Sequence, residues 1–188
     1  MEGDPMKRVM LVLLVVLAAA AAAEAQSNEE IVARAVLAAP GRAQEGAGVV
    51  NWDADGNRVM LKESENGFIC WDRSGQFGQR PFSVQCTNVG NIERYEQNRE
   101  FFKAGGDRDG WNALMAEAEE NGTRKAPVFG SIYYYMSGDD QESAGQHLVI
   151  MVPFATAESI GIPAERTGGA VSIMGAGTSG AHLMIAGR

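Results

Sequence analysis

The chain has 188 residues, 45% of them hydrophobic, with 16 basic against 24 acidic side chains and a net charge of −8. That is enough chain for one domain with a sizeable core. An acidic chain without a basic stripe is a poor match for nucleic acid or an anionic lipid surface, so neither is expected as a partner.

The elements follow in chain order. Lys7 and Arg8 form a basic start, residues 9–17 an apolar run, and Ala23-Glu24-Ala25 a small-x-small site. This order predicts a signal peptide over residues 1–25, cut before Gln26, and an exported domain over residues 26–188, periplasmic or extracellular. The apolar run falls short of the roughly 20 residues a membrane span needs, so no stable membrane insertion is expected after cleavage. Ser27-Asn28-Glu29-Glu30 reads as a capping box, and Pro40-Gly41 as the stop of the helix it opens. Residues 48–52, 58–62 and 68–71 read as three short strands of an antiparallel meander, with turns at Asp53-Ala54-Asp55-Gly56 and Glu65-Asn66-Gly67. The first turn has the start of a calcium loop. It lacks the carboxylate that closes such a loop, so a hairpin turn is the expectation. Residues 72–88 are polar and glycine-containing and read as a loop. Helices are predicted over 92–103 and 109–120, separated by Gly105-Gly106, and the second carries an apolar stripe of Trp111, Leu114, Met115 and Ala118. Strands are predicted over 129–136, 147–153, 170–174 and 181–186, with a helical turn near 157–160.

The pattern predicts an α+β fold: a mainly antiparallel sheet with an N-terminal helix and one or two central helices packed on it. The two cysteines, Cys70 and Cys86, are predicted to form one disulfide, as an even count does in an exported chain.

Several short islands carry a resemblance. They are Asn66-Gly67-Phe68-Ile69-Cys70, Tyr135-Met136, Gln146-His147-Leu148, Gly168-Gly169 and residues 177–184, ending Ala181-His182-Leu183-Met184. In these the chain resembles a family of uncharacterised exported bacterial proteins. It departs from that pattern at Gln146, where the family has proline, at Val149, where it has methionine, and at Ser179-Gly180, where it has proline-tyrosine. The family has no known activity, so the resemblance implies none.

Motifs that could carry chemistry are sparse. Residues 175–180 spell G-x-G-x-x-G, but the dinucleotide fingerprint needs a helix and a second parallel strand next, so a hairpin turn is predicted. No G-x-S-x-G is present, and no catalytic residue is assigned. Trp52, Trp71, Trp111 and residues 133–135 (Tyr-Tyr-Tyr) supply aromatic surface for stacking or for a core. The two histidines each open an apolar strand. Period two puts His147 with Val149 and Met151, and His182 with Met184, on single strand faces. His147, His182, Met184 and Met151 are therefore the candidate metal ligands, and imidazole with thioether suits copper, Cu(I) in particular. The leading expectation is a non-enzymatic exported binding or structural domain of the envelope, with unknown ligand and no required cofactor. A copper-binding protein is the alternative, and a small exported hydrolase comes third.

Overall fold

The structure, a computed structural model, describes residues 27–165 and 171–185. The predicted signal peptide and the Gly168-Gly169 island lie outside them. Helix α1 covers residues 27–35 and runs into a 3-10 turn, Val36–Ala38. A short α2 (Gly41–Gln44) follows, then strands β1 (Gly48–Trp52), β2 (Arg58–Lys62), β3 (Phe68–Asp72) and β4 (Phe82–Asn88). Next come α3 (Ile92–Gly105), α4 (Arg108–Glu120), β5 (Ile132–Gly138), β6 (Gly145–Met151), α5 (Ala157–Ile160), β7 (Ser172–Met174) and β8 (His182–Ile185). The eight strands form one sheet in the order β2-β1-β3-β4-β5-β6-β8-β7, antiparallel at every pairing except β1 with β3. The fold is α+β with helices packed on the sheet. Ser27 is itself helical, so it lies inside α1 rather than capping it.

The β1–β2 turn is held by its own carboxylate. Asp53 Oδ1 accepts from the N–H groups of Asp55 at 3.0 Å and Asn57 at 2.8 Å. The Asn57 side-chain amide also donates to Asp53 Oδ2 at 3.1 Å, and this bond, with that from the Asn57 N–H, holds the Asp53 carboxyl below its usual pKa.

Two expectations are corrected. The first three strands are not a meander, because β3 lies on the far side of β1 from β2 and runs parallel to it, Gly48 opposite Ile69. The cause is the connecting loop. The N–H groups of Glu65 and Asn66 both reach the Gly46 carbonyl, and Asn66 Nδ2 donates to Ala43 at 2.8 Å. The loop is thereby tied over the start of β1, so close that a Cβ on Gly48 would meet Ser64 at 2.9 Å. The second correction is that residues 82–88 are not loop. They form β4, a central strand with six of its seven residues buried. Its residues alternate strictly: Phe82, Val84 and Cys86 join one apolar cluster, while Ser83, Gln85 and Thr87 point to the other face.

Cys70 and Cys86 are directly opposite each other on β3 and β4 and form the disulfide, with α-carbons 4.0 Å apart. It lies on the face covered by α1. There Ala35, Ala38 and Ala39 pack against Val49, Val84, the two cysteines and Phe82. The α5 turn packs beside Ile173 and Leu183. The opposite face receives α3, whose Tyr95 and Ile92 pack on Val50, Ile69 and Trp71. Asp107 caps α4 by accepting from the Gly110 N–H at 2.8 Å. Helices α3 and α4 meet almost backbone to backbone: a Cβ on Gly110 would lie 2.3 Å from the Gly105 carbonyl oxygen. Among the described residues no helix is long and apolar enough to cross a membrane.

Candidate functional site: a cleft between helices and sheet

Because α3 covers the β1–β3 end of this face, the β5-β6-β8 end is left partly open. The result is a cleft of about 890 Å³ between the helical pair and the sheet. Its floor is made by the inward residues of each strand: Gln85 from β4, Tyr133 and Tyr135 from β5, His147, Val149 and Met151 from β6, and His182 and Met184 from β8. Its roof is made by α3 and α4, with Tyr95, Phe102 and Trp111 supplying rings.

The rings form two groups. Tyr133, Tyr135 and His147 stack in a ladder along the floor, Tyr133 to Tyr135 at 6.0 Å and Tyr135 to His147 at 4.7 Å, each pair tilted by 12°. Trp52, Trp71 and Tyr95 cluster at the other end, with Trp71 fully buried. Tyr134 points to the opposite face, against Phe68. Burial raises the pKa of Tyr95, Tyr133 and Tyr135, and pushes that of Tyr135 up to about 12. Tyr135 is closely surrounded yet still shows some surface to the cleft.

Cations line the same space. The Arg73 guanidinium lies over the Tyr135 ring at 5.0 Å and donates to Ser83 Oγ at 3.1 Å, while its Nε has no partner within the protein. Arg99 sits over Trp52 at 4.3 Å. Arg94 donates to Ser179 Oγ at 2.9 Å and to the Lys125 carbonyl. Burial lowers the pKa of both Arg73 and Arg94, because it penalises the charged form. Deeper in, Arg124 is bonded to Gln97 at 2.6 Å and to Asn98, and burial pulls its pKa down to about 10.

The predicted metal candidates all line this cleft. The register places Met151 opposite His182, and Met184 opposite Val149. It also places Met174 of β7 opposite His182 on the other side, a thioether the sequence reading did not single out. Met151, His182 and Met174 therefore form one row across three strands, facing the same way. His182 Nδ1 donates to the Gly180 carbonyl at 2.8 Å, which leaves Nε2 outside that bond. The structure does not bring His147 to His182. It lies four residues along β6 from Met151, roughly 13 Å at about 3.3 Å per residue, and stacks on Tyr135 instead. Among the described residues, no three of His, Cys, Asp and Glu come together in a group that could hold a metal ion.

Ser179 is buried, and its hydroxyl donates to the Glu119 carboxylate and accepts from Arg94. The Gly-rich stretch over residues 175–180 is the turn of the antiparallel β7–β8 hairpin. No protein-family model, curated protein or solved structure matches the chain.

Proposed function

We propose that the chain is exported and acts by binding, with the cleft between the α3–α4 pair and the β5-β6-β8 floor as its ligand site. The observation that carries this reading is the cleft itself. Its volume lies in the range of small-molecule sites, and its walls combine rings and thioethers with charged and amide side chains. The basic, apolar, small-residue order of residues 6–25 and the disulfide support export. The test uses a neutral apolar dye, N-phenyl-1-naphthylamine. It should bind saturably at one per chain. Val149→Phe, which adds bulk to the floor, should weaken it several-fold without loss of the folded baseline. Unsaturable binding, or binding indifferent to Val149→Phe, would remove the reading.

The Met151-His182-Met174 row favours a second reading, a site for a soft metal such as Cu(I). Its mark is competition with a Cu(I) chelator that His182→Ala and Met174→Leu both weaken. Equal competition by wild type and variants sinks it.

A further inference from the structure

Among the described residues, five of the seven cations outside the cleft lining have a carboxylate within 4.0 Å, Arg42 and Lys62 being the exceptions, whereas none of the five that line the cleft has one. Away from it, Arg34 is paired with Asp72, Arg58 with Glu93 and Glu96, Arg80 with Asp139, and Lys125 with Glu93. Arg124, beneath it, has Glu119. Among the described residues, Arg73, Arg94, Arg99, Lys103 and Arg108 line the cleft, and none has a carboxylate within 4.0 Å. Partners are not scarce, since the chain holds 24 acidic residues against 16 basic ones. Among the described residues, the carboxylates along the same walls are Asp53, Asp55 and Glu100, with Asp53 engaged in its own turn, while Glu119 behind the wall reaches Arg94 through the Ser179 hydroxyl and leaves Arg73 without a counter-charge.

A guanidinium withdrawn from water without a counter-charge is costly, and the fold holds Arg73 this way with one N–H unpartnered. What such a group lacks is an anion. Arg73 lies over the Tyr135 ring, and Arg94 lines the same cleft. Beside them the floor is apolar, through Val149, Met151 and Met184.

We infer that the ligand of this cleft is an organic anion, its acid group held by Arg73 and Arg94 and its apolar or aromatic body laid along the Tyr133-Tyr135-His147 ladder. Arg99, over Trp52 toward the other end of the cleft, adds to the positive field that draws the acid group in. This inference rests on the cleft being the binding site. Carboxylate and phosphate heads share the chemistry, since guanidinium binds either through paired N–H donors.

The test separates the two levels. The charged probe is 8-anilinonaphthalene-1-sulfonate, and the neutral one is N-phenyl-1-naphthylamine, which has the same ring system without the charge. Arg73→Gln should weaken the sulfonate about tenfold or more, the loss expected for a charge-assisted hydrogen bond. The neutral dye should change by less than about threefold. Arg99→Gln, which removes a partly exposed side chain, should move the sulfonate in the same direction, and it keeps the test valid if Arg73→Gln fails to fold. Displacement of the sulfonate by 1-naphthoate or by 1-naphthyl phosphate, whichever is stronger, assigns the head group. If the two dyes respond equally to both variants, or neither acid displaces the sulfonate, the anion inference is overturned and the apolar cleft survives. If neither dye binds saturably, both fall.

Discussion

Asn91 is the residue on which the position of the α3 roof depends, and its replacement by leucine gives a quantitative test. It is fully buried at the N-terminus of α3. Its Nδ2 donates to Thr87 Oγ1 at 2.8 Å and to Ser131 Oγ at 2.9 Å, and its Oδ1 accepts from the Val128 N–H at 2.8 Å. One side chain thus ties the helix to β4 and to the approach to β5. Three net hydrogen bonds at about 1 kcal/mol each give about 3 kcal/mol, and the orphaned Val128 N–H adds about 1–3 kcal/mol. Burial of the leucine side chain returns about 1.5–3 kcal/mol. Asn91→Leu should therefore cost about 1–4.5 kcal/mol, which lowers Tm by about 2–4 °C per kcal/mol for a chain of this size. Urea denaturation followed by tryptophan fluorescence reads the change directly. Asn91→Asp provides an independent arm. Both hydroxyls that Nδ2 serves already give their own protons away, Thr87 to the Ile132 carbonyl and Ser131 to the Val128 carbonyl. A carboxylate oxygen there would face lone pairs, and the pKa of the introduced carboxyl in the folded state would rise above its unfolded value. Below the folded pKa the native chain keeps a proton the unfolded chain has lost, so the variant should regain stability as pH falls from 7 toward 5. A leucine variant within 0.5 kcal/mol of wild type (about the scatter of a surface change), with a flat pH profile for the aspartate variant, would refute the anchoring role.

Two other outcomes follow from the same contacts. Burial raises the pKa of Tyr95, Tyr133 and Tyr135 in the folded chain. Unfolded tyrosine ionises near pH 10, so above that pH the unfolded state sheds protons the native state keeps, and stability should fall. Absorbance at 295 nm should show these three phenols released only on unfolding at pH 11; native ionisation near pH 10 would contradict the buried ladder. Gly110→Ala should cost at least about 1–3 kcal/mol by overpacking, because its Cβ meets backbone rather than a side chain that can turn aside. Gly41→Ala, which has nothing within 4 Å, should be neutral in the same thermal melt.

Local features of the fold were legible where a residue type has a single structural use. Asp53 and Asn57 close the first hairpin as their types predict, and Gly106 ends α3 with positive φ. The two cysteines pair. β4 was hidden because its polar half, Ser83, Gln85 and Thr87, faces inward. The strict alternation with Phe82, Val84 and Cys86 was the signal that a polar count passes over. The parallel placement of β3 depends on Asn66 binding the Ala43 carbonyl, a contact no short-range pattern encodes. The cleft was less legible still. Arg73, Arg94, Arg99 and Arg108 come from the β3–β4 loop, α3 and α4, each reading alone as solvated charge, and a net charge of −8 points away from anions. Met174 was missed because the order β6-β8-β7 inverts the chain order, so its neighbour His182 follows it across a turn.

The disulfide ties β3 to β4, and β4 carries Gln85 of the cleft floor on its opposite face, which joins the redox state to the site. Cys70 and Cys86 fix the β3–β4 register on the α1 side. Their neighbours Trp71 and Gln85 are paired in that register and point to the cleft side, and Arg73 follows two residues past Trp71, its N–H on the Ser83 carbonyl at 2.7 Å. A one-residue slip would turn Trp71 and Gln85 outward and carry Arg73 away from Tyr135. The bridge therefore holds the guanidinium over its ring as well as restricting the unfolded chain, a restriction of about 3 kcal/mol for a loop of this length. If the proposed ligand engages Arg73, it favours the same register, and oxidation and binding should then reinforce each other by the same free energy in both directions. Reduction of the bridge is then expected to loosen the cleft as well as the β3–β4 pairing.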